Sequence, residues 1–326
     1  MTRGAELPPE SFVTAPDGTK LYVRQRAAGQ PWQPDESPAS VRFPSSSRIR
    51  AAGATGASEP PLTAVLSDGI ACDGFIWKYL WDLLADHMAV THWHYRGHGR
   101  SGSPVDEQAI DIPALSRDLS AVRASTGSPP AVLFGHSMGC QVVIENYLQN
   151  PAGVRGLVLL CGSHGRITET FRGTNLLAQV LPGVIERIER APDLARALWS
   201  RIPHEVALRI AFLSGEVDPR TLRPEDFMPY LQHMTHIDLV MFLRMLRAAG
   251  EHSTRERLAE VKCPVLVVAG EKDQFTPARL AEEMAQLLPS ADLLVVPGAT
   301  HVAPLEQRDV VHLAVVKFLR ERVMAA

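Results

Sequence analysis

The stretch VLFGHSMGC, Val132 to Cys140, sets a serine between two glycines at the end of an apolar run. A G-x-S-x-G pentapeptide arises by chance in roughly one chain in ten of this length, given the ordinary abundance of glycine and serine. Ser137 is therefore informative only with a strand before it, a helix after it, and a base and an acid elsewhere in the chain. Ala131 to Phe134 reads as the strand, and MGCQVVIENYLQN carries the apolar spacing of a helix. Gly135 and Gly139 fit a turn too tight for side chains. At the carboxyl end of a parallel strand, the Ser137 hydroxyl would lie in the crevice where open α/β sheets bind ligands.

Outward from this unit, short apolar runs alternate with longer amphipathic segments, the pattern of a largely parallel sheet. Strands are predicted at Ser11 to Thr14, Lys20 to Arg24, Thr63 to Ser67, Met88 to Trp93, Ala131 to Phe134, Val154 to Leu160, Val265 to Ala269 and Leu293 to Val296. The first two flank APDGT, whose Asp-Gly predicts a hairpin turn and an antiparallel edge. Helices are predicted at Phe75 to His87, Ile112 to Ser125, Met138 to Leu148, Pro277 to Leu288 and Glu306 to Val323, with Asp111 as an N-cap. The fold class is α/β, an eight-stranded, mostly parallel sheet flanked by helices.

Two stretches depart from the alternation. Ala27 to Pro61 is crowded with Pro, Ser, Ala and Gly, a composition that buries too little apolar surface to offset ordering entropy, and is expected to be a flexible loop. From residue 163 to 257 strand patterns vanish and helical ones run through Ile167 to Leu181, Leu194 to Trp199, Glu205 to Leu213 and Tyr230 to Ala249. This divides the chain into a core, 1–162 and 258–326, and a helical cap, 163–257, that walls a substrate pocket. Met234, Met241 and Phe242 lie on a stripe at helical spacing, first of all a packing stripe, part of which would line an adaptable apolar pocket.

A serine hydroxyl is a weak nucleophile without a base to accept its proton. His301, in VVPGATHVAPLEQ, follows the last predicted strand, and Asp273, in LVVAGEKDQFTP, follows the one before. Parallel strands bring both loops to the sheet edge that carries Ser137. An Asp accepting the other imidazole N–H would hold the required tautomer. Glu271 competes for the role of acid but lies two residues earlier and is expected to point away.

The order Ser137, Asp273, His301, with FGHSMG, GEKDQFTP, GATHVAPLE and YRGHGRSG, resembles the α/β-hydrolase superfamily and its capped, esterase-like members. The resemblance covers Ser11 to nearly the C-terminus, apart from the 27–61 loop. It implies an oxyanion hole made by the backbone N–H groups of Ile70 and Met138. This chain departs from it in having Asp68-Gly69 where His-Gly is usual, and His94 where an Asp is common two residues before the Arg. The two exchanges suggest an ion pair with its partners swapped, Asp68 facing His94 or Arg96. An unpaired carboxylate at Asp68 would slow the reaction by opposing the oxyanion.

A formal charge of -3 gives no electrostatic case for nucleic acid or an anionic membrane as partner. Cys72, Cys140, Cys161 and Cys263 form no C-x-x-C pair and read as buried free thiols. The N-terminus has no signal-peptide core and no apolar run is long enough to span a membrane, so a cytoplasmic protein is expected. His92, His94 and His98 lack a carboxylate or Cys to complete a metal site, and His136 is expected to support the pocket. His233 and His236 could face one ligand.

These residues predict a serine hydrolase that cleaves carboxylic esters, thioesters or lactones of apolar acyl or aryl groups through acyl-Ser137, with no metal or organic cofactor. The partner is a small ester-type molecule. Ser137 argues against the epoxide hydrolases and haloalkane dehalogenases of the same superfamily, whose nucleophile at this turn is an Asp. A carbon–carbon bond hydrolase of ring-cleavage products and a non-catalytic small-molecule receptor are the alternatives.

Overall fold

The computed structural model describes residues 10–29 and 61–324, so the predicted loop falls almost wholly outside the described residues. Eight strands form one sheet: β1 (Glu10–Thr14), β2 (Lys20–Arg26), β3 (Thr63–Ser67), β4 (Ala89–Trp93), β5 (Ala131–His136), β6 (Val154–Leu160), β7 (Val265–Gly270) and β8 (Ala291–Val296). Their spatial order is β1-β2-β4-β3-β5-β6-β7-β8. Among the described strands only the β1–β2 and β2–β4 pairs are antiparallel. Asp17 and Gly18 make the predicted β1–β2 turn, with Asp17 Oδ1 accepting from Thr19 N at 3.0 Å.

The six parallel strands β3 to β8 point their carboxyl ends one way, which gathers the segments after β3, β5, β7 and β8 along one edge. Residues buried on both faces explain why β3, β5 and β7 read as unbroken apolar runs rather than alternating ones. One face packs under α2 (after α1, Lys78–Ala85; α2 is Ile112–Ser125) and α3 (Met138–Gln149), with Trp93, Leu115, Val142 and Leu159 in its core. The other holds Trp77, Leu80, Phe134 and Val158. Asp111 caps α2 as its sequence indicates, accepting from Ala114 N at 2.8 Å. All four cysteines are free and buried.

Between β6 and β7 the chain forms helices α4 (Ile167–Thr170), α5 (Leu176–Glu189), α6 (Pro192–Trp199), α7 (His204–Ser214), α8 (Pro224–Met234) and α9 (Leu239–Glu251). Two predicted helices are broken here. Ile167 to Leu181 divides at Arg172, whose φ of 51° ends the turn and whose N–H donates to the Gln274 carbonyl at 2.8 Å. Tyr230 to Ala249 divides between Met234 and Leu239, where Asp238 starts a new helix by accepting from Met241 N at 2.9 Å. The side chain competes with the helix for backbone donors, which periodicity does not register. The chain closes with α10 (Ala278–Leu287), the short α11 (Ala303–Glu306) and α12 (Arg308–Phe318). The predicted last helix is thus interrupted at Gln307.

Candidate active site

Ser137 occupies the turn between β5 and α3 with φ 53° and ψ -120°, a conformation that costs a non-glycine residue about 1–3 kcal/mol. The flanking glycines make it feasible. A Cβ on Gly135 would collide with the Gly139 carbonyl, and one on Gly139 would collide with the carbonyl oxygen of Ser67 at the end of β3. The turn therefore packs backbone against backbone, and Ser137 retains partial exposure above it.

His301 and Asp273 come together from the loops after β8 and β7, with Nδ1 of the imidazole 2.8 Å from Asp273 Oδ2. Asp273 is held by its own loop: Oδ1 accepts from Phe275 N at 2.8 Å and Thr276 N at 2.9 Å, and Oδ2 from the Thr276 hydroxyl at 2.9 Å. With the carboxylate accepting, His301 carries its proton on Nδ1 and presents a bare Nε2. Glu271 accepts from Gly298 N at 2.7 Å instead.

Ser137 and His301 meet through their neighbours. His136 Nε2 donates to the His301 carbonyl at 3.0 Å, and the two rings lie 5.1 Å apart. Burial and the nearby His301 lower His136 to about 3, so it supports the loop as a neutral imidazole. No hydrogen bond joins the Ser137 hydroxyl to His301 among the described residues; such contacts are often long before substrate binds.

Two residues not singled out in the sequence also hold the His301 loop. Thr276 anchors Asp273 as above. Glu306 accepts from Thr300 N at 2.7 Å, from the Thr300 hydroxyl at 2.9 Å and from Asp218 N at 2.8 Å, tying the loop to the helical segment. A carboxylate five residues after the histidine was the available signal.

The expected Asp68 partners are not found. Asp68 pairs with His92 Nε2 at 2.9 Å and accepts from Trp77 Nε1 at 2.6 Å. His94 accepts from Arg100 N at 2.9 Å, while Arg96 binds Asp118 and Asp17. Continuing the register Leu66↔His92 by two residues would set Asp68 opposite His94, but both strands have ended by then, and His94 influences the Asp68 carboxyl through its charge without bonding it. His98 Nδ1 donates to the Arg96 carbonyl at 3.1 Å, so the three histidines of this stretch serve three different partners.

Ile70 follows Gly69, where a Cβ would stand 3.1 Å from Ser137 Cβ, and Met138 opens α3 directly after the serine. Met241 packs beside Gly97, and a groove of about 410 Å³ lies along its other neighbours Pro104, Ile110 and Val240. Phe242 packs in the helical segment's own apolar cluster with Leu181, Ile185 and Leu243. Met234 is half-buried, and its carbonyl accepts from Trp199 Nε1 at 2.8 Å. His233 turns inward toward Asp73, at 3.9 Å, whereas His236 is exposed and bonds the Gln232 carbonyl, so the two do not face one ligand.

The alpha/beta hydrolase family profile matches residues 66–313. The chain is 28% identical over 266 residues to the polyketide synthase ThaQ of Burkholderia thailandensis, an alignment that spans 80% of this chain but only 12% of that protein. It is 24% identical over 255 residues to the 2-(acetamidomethylene)succinate hydrolase of Mesorhizobium japonicum, covering 77% of this chain and 85% of the relative. The esterase EaEST from Exiguobacterium antarcticum has the same fold, with a TM-score of 0.70 at 18% identity over 96% of this chain and 100% of that one. The extent of the profile match, over a sheet of this order with its serine turn after β5, establishes that the chain belongs to the alpha/beta hydrolase family.

Proposed function

We propose that the protein is a serine hydrolase that cleaves carboxylic esters, thioesters or lactones of apolar acyl or aryl groups. The observation that carries this reading is the His301–Asp273 hydrogen bond beside a strained Ser137 turn. Bare Nε2 of His301 takes the Ser137 proton as Oγ attacks the carbonyl carbon. The backbone N–H groups of Ile70 and Met138 receive the developing oxyanion. His301 then protonates the leaving alcohol; in the second half His301 deprotonates a water that attacks the acyl-Ser137 carbonyl, and returns that proton to Ser137 Oγ as the carboxylic acid departs. No metal or organic cofactor enters these steps.

Residues 163–257 act as a cap over the core formed by 1–162 and 258–326. The Phe171 ring packs tilted against Phe275 at 5.1 Å, and Phe275 itself lies 4.9 Å from the His301 ring, which supports a cap reaching over the base. Met241 and Met234 belong to the pocket wall in this reading, whereas Phe242 packs inside the helical segment and supports that wall from within. Four free, buried thiols fit a cytoplasmic location, and no helix among the described residues is long and apolar enough to cross a membrane.

Fluorophosphonate labelling followed by turnover on a panel of p-nitrophenyl esters tests the reading. Labelling at Ser137 with ester turnover is the expected result. Labelling without turnover on any ester points to the receptor alternative, and loss of colour from a ring-cleavage dienone without esterase activity points to the carbon–carbon hydrolase.

A further inference from the structure

The segment between β3 and α1 contains Ile70, the donor assigned above to the oxyanion, and its ends are tied in an unusual way. Trp77 Nε1 donates to Asp68 Oδ1 at 2.6 Å across nine positions of sequence, closing a loop with Ile70 inside it. Within that loop Ala71 is fully buried at a φ of 58°, a conformation that persists only when the surroundings enforce it. The backbone of the same loop rests on the serine turn. A Cβ on Gly139 would stand 2.6 Å from the Asp68 carbonyl oxygen, and one on Gly69 would stand 3.2 Å from His136 Nδ1. The Tyr95 hydroxyl also donates to the Asp68 carbonyl at 2.6 Å.

The second carboxylate oxygen of Asp68 completes the tether. Arg24 Nε lies 3.2 Å from His92 Nδ1, and a guanidinium can only donate, so Nδ1 is bare and Nε2 carries the proton. His92 therefore donates to Asp68 Oδ2 at 2.9 Å, and a file of donors runs from Arg24 through His92 to Asp68. Gly74, with φ 102°, leaves room for this file: a Cβ there would lie 2.7 Å from His92 Cε1 and 2.9 Å from Arg24 Nη2.

We propose that Asp68 is the positioning residue of the oxyanion loop, its carboxylate holding the Gly69–Ile70 backbone over Ser137 through Trp77 and His92. The inference rests on the serine-hydrolase reading, and it replaces the idea that the Asp68 charge opposes the oxyanion. The carboxylate is engaged by two N–H donors and does not face the serine unpaired.

Only the ionised form satisfies this arrangement. A protonated Asp68 would set an O–H against the N–H of Trp77 or of His92, and rotating the proton of His92 to Nδ1 would set it against Arg24. Burial raises the Asp68 carboxyl from 3.8 to about 6, opposed by His94, Trp77, Arg24 and His233. Cys72 and Asp73, from the same loop, also face it. Turnover should therefore fall as pH drops through about 6 and the tether loses a bond.

The test measures kcat and KM for p-nitrophenyl butyrate per fluorophosphonate-titrated Ser137, from pH 5 to 8, in the wild type, Asp68→Ala and Asp68→Asn. A misplaced oxyanion donor costs about 10²–10³ in kcat. We expect Asp68→Ala to lose that much at pH 8 with KM within about threefold, and Asp68→Asn, which keeps one acceptor oxygen, to lose about tenfold. The Asn variant should also lack the part of the wild-type acid limb near pH 6. Wild-type kcat per titrated site in both variants overturns the assignment, as does an unchanged acid limb in Asp68→Asn. If Asp68→Ala does not fold, the isosteric Asn variant decides alone. Absence of both labelling and turnover in the wild type instead overturns the serine-hydrolase reading, and this inference with it.

Discussion

Asp68 and His92 share a 2.9 Å hydrogen bond in which neither side chain is exposed to solvent. A carboxylate in such a place is stabilised by its donors and penalised by its desolvation, and here the penalty is larger, because the Asp68 carboxyl is raised to about 6. The residue thus bears on two properties with opposite sign, stability and turnover.

A native carboxyl raised above its unfolded value binds protons more strongly in the fold. Its stabilising contribution is complete below about pH 4 and is lost as pH rises through about 6, at a cost on the order of 3 kcal/mol by pH 8. Asp68→Asn removes this dependence. The melting temperature of the variant relative to wild type is expected to rise between pH 4 and 7 and then level off. Thermal unfolding at pH 4.5 and 8 checks it, and a gap that does not change with pH would contradict it.

Replacing Ser137 with Ala, or His301 with Ala, should lower kcat for an activated ester by at least about 10⁴, leaving the residual catalysis of binding and oxyanion donors. Ser137→Ala must also abolish fluorophosphonate labelling. Near-normal turnover in either variant contradicts the assigned roles.

Asp273→Asn keeps a side chain of the same shape but places an amide against donors that now meet a carboxylate: Thr276 and His301 at Oδ2, and the N–H groups of Phe275 and Thr276 at Oδ1. The imidazole is then free to turn its proton to Nε2, the wrong tautomer for a base. A drop in kcat of about 10⁴ with little change in KM is expected from steady-state kinetics.

Gly139→Ala drives a methyl group onto the Ser67 carbonyl, a backbone atom that cannot swing aside. Separation of β3 from α3 should cost about 1–3 kcal/mol in urea unfolding and displace Ile70 from the serine. Turnover per titrated site must fall together with stability. A loss of stability alone would mean that the two segments adjust without disturbing the site.

Arg96 is buried between Asp118 at 2.6 Å and Asp17 at 2.7 Å. Arg96→Ala leaves the wholly buried Asp118 without its cation and should destabilise the protein by about 3–5 kcal/mol in denaturant titration. The Asp17 carboxyl, held down to about 2 against its burial first by hydrogen bonds from Thr19 and then by Arg96, should rise part of the way toward its ordinary value of 3.8 in the same variant. Its titration by NMR provides an independent check.

The inner strands β3, β5 and β7 are legible because a strand buried on both faces announces itself as a short apolar run bounded by turn residues, whereas the more exposed β1 and β2 are marked by the Asp-Gly turn between them. The loops of Ser137, Asp273 and His301 follow directly, since they succeed β5, β7 and β8 and parallel strands share one edge. Helix boundaries in the segment between β6 and β7 are less legible. Their apolar period continues through Arg172 and Asp238, and the breaks are made by a backbone bond to Gln274 and by a capping carboxylate.

What the sequence determined by itself was therefore the order of elements and the edge at which three polar side chains emerge, because both follow from local period and from the direction of the chain. The partners of those side chains were decided by the tertiary structure. Alternation places His92 and His94 on the same side of β4, so nothing local distinguishes them as companions for Asp68. Both rings accept at Nδ1, His92 from Arg24 of β2 and His94 from Arg100 N beyond the end of the strand, and only the fold brings the Nε2 of His92 to 2.9 Å from the carboxylate.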